Sequence, residues 1–382
     1  MPQHEILSDQ ALNRALLARQ GLLERKRAPL TDVVESIGAI QAQYWPAVPV
    51  ALASRMHDFS PVALYRALTD GELVTGQLIR GTLHLVTARQ YPSYAAMAAE
   101  SGVDRWHRTK AEPTAGMDRI RRDMADYAGE QPRTNAELSA FIEAAVSAAL
   151  REDSNLIDPA ELAQQRASSW RAFFRWSGLL RVPADGTWGP KKPSAYQAAP
   201  PPEPWSPEVL VNAIRCHLRA FGPAAAEDIA AWLGWGTPPV REALQQLGEK
   251  LVQFSDSAGR TLFDLPDAPR PNLDVVAPVR LLPNFDSTLL AYAPKHRTRI
   301  LPEPYRSVIY QPGNLTLLPT FLIDGLVAGT WASKVQPREA TLTLTPLQPL
   351  TAGARKELVA EAERLLCAAQ PDARTYDVQV AS

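Results

Sequence analysis

Three short stretches hold side chains whose types and spacing could do chemistry. The first is Ile40-Gln41-Ala42-Gln43-Tyr44-Trp45-Pro46, two amides flanking a small apolar residue beside two aromatics. On a helix, residues two apart point about 200° from each other and cannot share a target. On an extended or irregular segment they face the same side. Pro46 disfavours the helical region for Trp45 and Pro49 adds a second break, so a helix begun at Thr31 should end near Gln43. Both amides could then converge on one pocket. The competing reading is a pair of exposed amides at a fraying helix end.

The second stretch is Arg80-Gly81-Thr82-Leu83-His84. In a strand, Arg80, Thr82 and His84 share one face, a row of donors suited to phosphate oxygens, and Gly81 would allow close backbone approach. A salt-bridged arginine and a satisfied histidine would read the same way. The third stretch, Leu281-Leu282-Pro283-Asn284-Phe285-Asp286, follows a strand with a loop carrying an amide and a carboxylate, and Lys295-His296-Arg297 adds a basic cluster behind it. Turn chemistry alone also places Asn and Asp in such a loop. Trp170, Phe173, Phe174 and Trp176 follow helical spacing and belong to a core rather than to a base-stacking surface.

Composition removes several classes. No GxGxxG lies between a strand and a helix, and neither GxxxxGK[ST] nor GxSxG occurs. Cys216 and Cys367 are far apart without a CxxC partner, and the histidines form no HxxxH pair, so neither a metal nor a cofactor is expected. No apolar run is long enough for a membrane span, and Met1-Pro2-Gln3-His4-Glu5 lacks the basic start of a secretory signal, which leaves a cytoplasmic location. Forty basic residues against 41 acidic ones give a net charge of −1, but the charge is segregated. Between Gln165 and Pro200, Arg166, Arg171, Arg175, Arg181, Lys191 and Lys192 face a single acid, Asp185. Between Arg280 and Tyr310, Arg280, Lys295, Arg297, Arg299 and Arg306 face Asp286 and Glu303. A protein with one anion-facing side requires such a pattern.

The elements that must position these residues fall into units. At 382 residues the chain is long enough for two or three packed modules. Its 34 prolines are too many for a continuous helical bundle and mark seams, the strongest at Ala198-Ala199-Pro200-Pro201-Pro202-Glu203-Pro204-Trp205. Past this seam, helices are predicted over Glu208–Ala220 and Ala224–Leu233 and from Pro238 onward, with Val240, Leu244 and Leu247 on one face. A strand-turn-strand follows around Ser255-Asp256-Ser257-Ala258-Gly259-Arg260, the pattern of a winged helix. A looser version has helices over Asn135–Leu150 and Ser168–Ser177 and a hairpin turn at Asp185-Gly186. The loosest has helices near Ser8–Leu23, Thr31–Gln41, Val48–Met56 and Pro61–Asp70, then a strand pair over Leu73–Val86. The tail alternates at Ala340–Thr345, turns at Asp324-Gly325 and closes with a helix over Gly353–Ala369. The expected class is α+β: three tandem winged-helix units (1–130, 131–204 and 205–270) in a concave arrangement, with a C-terminal α+β cap over 271–382.

Across nearly its whole length the chain resembles the family of tandem winged-helix DNA glycosylases typified by the bacterial enzymes AlkZ and YcaQ. The residues that carry the resemblance are Gln41-Ala42-Gln43, Arg80 to His84, Leu281 to Asp286, and Asp324-Gly325-Leu326-Val327-Ala328-Gly329-Thr330-Trp331. The resemblance implies that Gln41 and Gln43 form the catalytic motif, in the Gln-apolar-Gln form of the AlkZ branch; the YcaQ branch has an aspartate in place of Gln43. The AlkZ branch is associated with self-resistance of antibiotic producers to DNA-alkylating or crosslinking natural products.

The implied reaction is hydrolysis of the N-glycosidic bond of purines alkylated at N7 or N3, bulky adducts and interstrand crosslinks included. Such bases are already cationic and leave neutral, so the enzyme can omit a general acid and use amide carbonyls to hold water beside an oxocarbenium-like sugar. With no lysine beside the motif, no lyase step is expected. The implied partner is damaged double-stranded DNA on the bacterial nucleoid, met by a monomer in an open channel. Arg80, Thr82, His84, Arg175, Lys191, Lys192, Asn284, Lys295 and Arg297 are its expected contacts. Two other classes stand beside this one. A winged-helix transcriptional regulator would read bases with the helix from Pro238 to Gly248, where Arg241 is the lone cation. A ligand-binding module would neither excise bases nor bind DNA.

Overall fold

The computed structural model describes residues 4–108, 115–170, 173, 178–311, 316–336 and 338–381. The chain is a mixed α+β protein that packs as two compact units, residues 1–64 with 210–382, and residues 65–209. The seam expected near 204 lies close to the 209/210 boundary. The expected boundary near 130 has no counterpart in this division, and the first helices pack with the C-terminal half.

The helix Pro207–Phe221, which starts just before the boundary, and in the first unit the helices Ala226–Leu233 and Thr237–Leu247 lead into the antiparallel strands Val252–Asp256 and Thr261–Asp264, a winged helix. Gly234 at φ +77° closes the second helix and Pro238-Pro239 opens the third, where the missing N–H groups cost nothing. Val240, Leu244 and Leu247 are buried, as the pattern predicts. Ile6–Leu7 adds a parallel third strand beside Val252–Asp256. The helix Asp9–Arg19 then begins at Ser8, whose hydroxyl accepts from the Ala11 N–H.

The same unit holds a five-stranded sheet in the order Arg280–Leu282, Thr320–Ile323, Leu326–Gln336, Glu339–Pro346, Thr375–Val380. Asp324 and Gly325, at φ +45° and +80°, make the two-residue turn that their identities predict. On Glu339–Pro346, Ala340, Leu342 and Leu344 are fully buried, the period-2 face seen in the sequence. The helix Ala352–Ala369 carries the chain to the last strand, which pairs parallel. Val50 and Ala53, from the helix Ala47–Arg55, share one apolar core with Leu281, Trp331 and Leu358. That packing fixes Ala47–Arg55 against the strand that feeds the loop at Asn284.

In the second unit the strands run in the order Leu83–Thr87, Leu73–Gln77, Leu179–Val182, Ala195–Ala198, Arg133–Thr134, all antiparallel. The helix Asn135–Glu152 starts at a capping box between Thr134 and Glu137. Its core gathers Leu138, Ile142, Val146, Trp170 and Phe173, so those two aromatics are core residues. The turn at Gly186 sits in a long connection over 183–194 rather than in a tight hairpin. The expected helix Ser168–Ser177 starts instead with Ser169 and Trp170 at positive φ. Most of its span, including Arg175, Phe174 and Trp176, lies outside the described residues.

Candidate active site

Gln41 owes its conformation to a helix that stops early. The sequence predicts a helix running to near Gln43, but the helix is Leu30–Ser36, and Gly38 takes φ +80°. Any side chain at that φ is strained, and a Cβ would also sit 3.1 Å from the Phe221 ring, so glycine ends the helix ahead of the two prolines. Ile40–Gln41 is therefore extended, Ala42 and Trp45 are buried, and a new helix starts at Ala47 after Pro46.

Gln41 is 8% exposed and lines a small pocket of about 10 Å³, room for roughly one water molecule. Gln43 is exposed and does not line it. The polar wall of the pocket comes from Gln20, Gln41, Arg55, Asn284, Asp286 and Ser287.

The loop that brings Asn284 and Asp286 here is held tightly. Phe285 sits at φ +58°, a conformation that non-glycine residues keep only when their surroundings impose it. Ser287 Oγ donates to the Ala39 carbonyl at 3.0 Å and Asn284 Nδ2 donates to the Leu317 carbonyl at 3.1 Å. Asp286 caps the short helix Ser287–Leu290: its Oδ1 accepts from the Thr288 N–H at 3.0 Å, Thr288 Oγ1 at 2.7 Å and Arg55 Nη2 at 2.8 Å. Its Oδ2 is buried and has no hydrogen-bond partner among the described residues.

Arg55 and Asp286 are 2% and 3% exposed, so the ion pair compensates two charges that burial would otherwise make very costly. Arg55 is itself fixed, donating to the Ala51 carbonyl at 3.1 Å and to Gln20 Oε1 at 3.3 Å. Gln20 Nε2 in turn donates to the carbonyls of Ile37 at 3.0 Å and Ala220 at 2.9 Å. A chain of buried polar contacts thus runs from the backbone to the edge of the pocket. Sequence reasoning missed Gln20 and Arg55, because nothing local separates a buried cation in a last helical turn from an exposed one. Asp286 ends the stretch Leu281–Asp286, where its residue type alone points to turn chemistry.

The remaining expected site residues behave differently. Arg80 is not in a strand: it lies in the turn Ile79–Gly81 at φ +55°, and Thr82 Oγ1 donates back to the Ile79 carbonyl at 3.2 Å. His84 does lie in the strand Leu83–Thr87, but it is 1% exposed, and its Nδ1 is 2.9 Å from the Thr82 carbonyl. Burial, aided by the nearby Arg80 charge, pushes its pKa down to about 3, so the ring is neutral. The row of phosphate donors is corrected to a structural histidine beside two partly exposed residues.

Lys191 and Lys192 are exposed in the 183–194 connection. Lys295 is exposed and lines an open groove of about 700 Å³ with Arg241, Arg260 and His296. Arg297 is turned inward, donating to the Tyr292 carbonyl at 3.0 Å and stacking 4.8 Å over Tyr310, which revises its expected place on the DNA surface. Arg241, the cation of the would-be recognition helix, pairs with Glu227 at 2.5 Å. Among the described residues, no group of three or more His, Cys, Asp or Glu could hold a metal ion, and no helix is long and apolar enough to cross a membrane.

Comparison with known proteins adds three findings. A family model described as DNA glycosylase AlkZ-like matches residues 34–367. The interstrand DNA cross-link repair glycosylase of Streptomyces sahachiroi is 25% identical over 357 residues, covering 86% of this chain and 88% of that protein. The solved structure of the Streptomyces sahachiroi DNA glycosylase AlkZ shares the fold, with a TM-score of 0.76 at 22% identity, covering 98% of this chain and all of the other.

Proposed function

The chain belongs to the AlkZ-like DNA glycosylase family, enzymes that hydrolyse N-glycosyl bonds in DNA, and from that premise we propose that it excises cationic N7- or N3-alkylated purines. Bulky adducts and interstrand crosslinks from a genotoxic natural product are its targets, in keeping with what the curated relative's name says of that protein. It acts as a monomer on the nucleoid, in the cytoplasm of a bacterium, and leaves an abasic site without a lyase step.

The observation that carries this reading is the extended, nearly buried Gln41 at the edge of a one-water pocket, followed two residues on by an exposed Gln43. An alkylated purine is already positively charged, so the glycosidic bond needs no acid to break. What it needs is a water held at the sugar and partial negative charge beside the oxocarbenium-like centre. Amide carbonyls supply both. In this reading Gln43 meets the nucleotide and Gln41 orders the water behind it. Arg80, Thr82, Lys191, Lys192, Asn284 and Lys295 hold the duplex, and the transcriptional alternative has a single cation, Arg241, on its recognition helix, paired at the surface with Glu227.

The test is release of N7-alkylguanine from alkylated duplex by the wild type, Gln41→Ala and Gln43→Ala. Each substitution is expected to lower release by about 10²-fold, the usual scale for a lost electrostatic contact. Unchanged release by both variants would refute the assignment. Duplex affinity is expected to fall steeply with salt as phosphate counterions are released, and a salt-independent affinity would argue against these contacts.

A further inference from the structure

Resting on that reading, we propose that Asp286 supplies the carboxylate of the hydrolytic site, with its Oδ2 accepting a hydrogen bond from the attacking water that Gln41 also contacts. The two amides can hold the water and supply partial negative charge, but they leave one further role open, an acceptor for the proton the water loses. A glutamine carbonyl orients water through a hydrogen bond but does not take up a proton at neutral pH, whereas a carboxylate does both. Asp286 is the one carboxylate lining the pocket that Gln41 lines.

Three independent features point the same way. The two oxygens of Asp286 are used unequally: Oδ1 accepts three hydrogen bonds, while Oδ2 is buried and accepts none among the described residues. Buried polar atoms are paired as a rule, so the exception asks for a reason. The space of about 10 Å³ beside it is the size of one water molecule. The carboxylate is also aimed at a cost, by a strained Phe285 at φ +58° and a Ser287 tether to Ala39, when an unstrained loop would cap the same short helix.

The step balances. A lone pair of the water oxygen forms the bond to C1′ and the C1′–N bond breaks. Its electron pair neutralises the cationic purine, which departs. The water proton passes to Asp286 Oδ2 and from there to solvent, restoring the carboxylate. Arg55 is the only other charged side chain on the pocket wall, and its guanidinium binds Oδ1 and leaves Oδ2 to the water.

Single-turnover excision of N7-methylguanine from a duplex oligonucleotide by the full chain tests this, alongside duplex affinity and thermal unfolding. Asp286→Asn keeps the shape and an acceptor for Thr288 and Arg55 but cannot take the proton. It is expected to slow excision by about 10²-fold or more with duplex affinity unchanged. Excision within about threefold of wild type overturns the proposal. Should Asp286→Asn unfold, the solvent isotope effect of the wild type decides: excision at saturating enzyme must slow in D2O, and equal rates in H2O and D2O overturn the proposal. The two readings fail differently. A wild type that releases neither N7-methylguanine nor a bulky N7-alkylguanine removes the alkylpurine reading and this inference with it. An active wild type with an equally active Asp286→Asn removes the inference alone.

Discussion

Two buried arginine–aspartate pairs in the first unit show how differently one interaction can be used. Arg19 and Asp264 are 3% and 0% exposed, and their contact is bidentate, Nη1 to Oδ1 at 2.7 Å and Nη2 to Oδ2 at 2.8 Å. Arg270 adds a second cation on Oδ2 at 2.5 Å, and the Leu265 N–H a further donor on Oδ1 at 2.9 Å. Both oxygens are satisfied, and the pair ties the helix Asp9–Arg19 to the end of the wing strand Thr261–Asp264. Arg55 and Asp286 are equally buried, yet every partner of that carboxylate sits on one oxygen. Complete satisfaction marks scaffold. A buried carboxylate left half-used, beside room for a water, marks chemistry.

The most damaging way to probe the contrast is Asp264→Ala. Arg19 would be left as an uncompensated buried cation, and denaturant unfolding should show a loss of about 3–5 kcal/mol. Excision per folded molecule should stay near wild type, the reverse of Asp286→Asn. If excision collapsed while the folded fraction held, the division into scaffold pair and working pair would be broken. Arg55→Met comes next. It removes one of three donors from Oδ1 and the only positive charge at Asp286, at a cost of about 3 kcal/mol, the lower end for breaking a buried pair. Unlike Asp264→Ala, it should also lower excision, because the carboxylate is no longer held against the pocket.

The same contrast explains how much was legible in the sequence. Periodicity exposes residues that face a core through local spacing: Val240, Leu244 and Leu247 on one helix, or Ala340, Leu342 and Leu344 on one strand. Turn chemistry exposes Asp324-Gly325, residue types that accept the positive φ values a two-residue hairpin turn requires. The Gln41–Gln43 motif is visible as two amides, but the helix ahead of it ends earlier than Pro46 and Pro49 suggest, because Gly38 breaks it first. Arg55 and Gln20 were invisible, since their partners lie 231 residues away at Asp286 and 200 away at Ala220. Alternation in the second unit correctly gave a strand through His84, but spacing cannot tell a donor on an open face from a ring sealed beneath it.

His84 shows a third treatment of a buried polar group, which is to keep it neutral. Its pKa is about 3 in the folded state against 6.5 ordinarily. Above pH 6.5 neither state is protonated and the shift contributes nothing. Below it the unfolded chain takes a proton that the folded chain refuses, so stability falls as pH drops toward the folded value, by about 1.4 kcal/mol per pH unit. Urea unfolding at pH 7 and pH 5.5 should show that loss in the wild type and a smaller one in His84→Gln. Equal slopes would mean that His84 reaches water and could act as a charged donor after all.

The finest test separates the two oxygens of Asp286. Thr288→Val keeps the volume of a fully buried side chain and removes only the 2.7 Å bond from Oγ1 to Oδ1, leaving the backbone N–H, Arg55 and the whole Oδ2 side intact. The loss in stability should be about 1 kcal/mol, the usual value of one buried hydrogen bond. Excision should fall only a few-fold, through looser aim of the carboxylate, far short of the effect of Asp286→Asn. If Thr288→Val proved as severe as Asp286→Asn, then anchoring at Oδ1 would account for both. Asp286 would join Asp264 as scaffold, and the difference between the two pairs would be one of geometry alone.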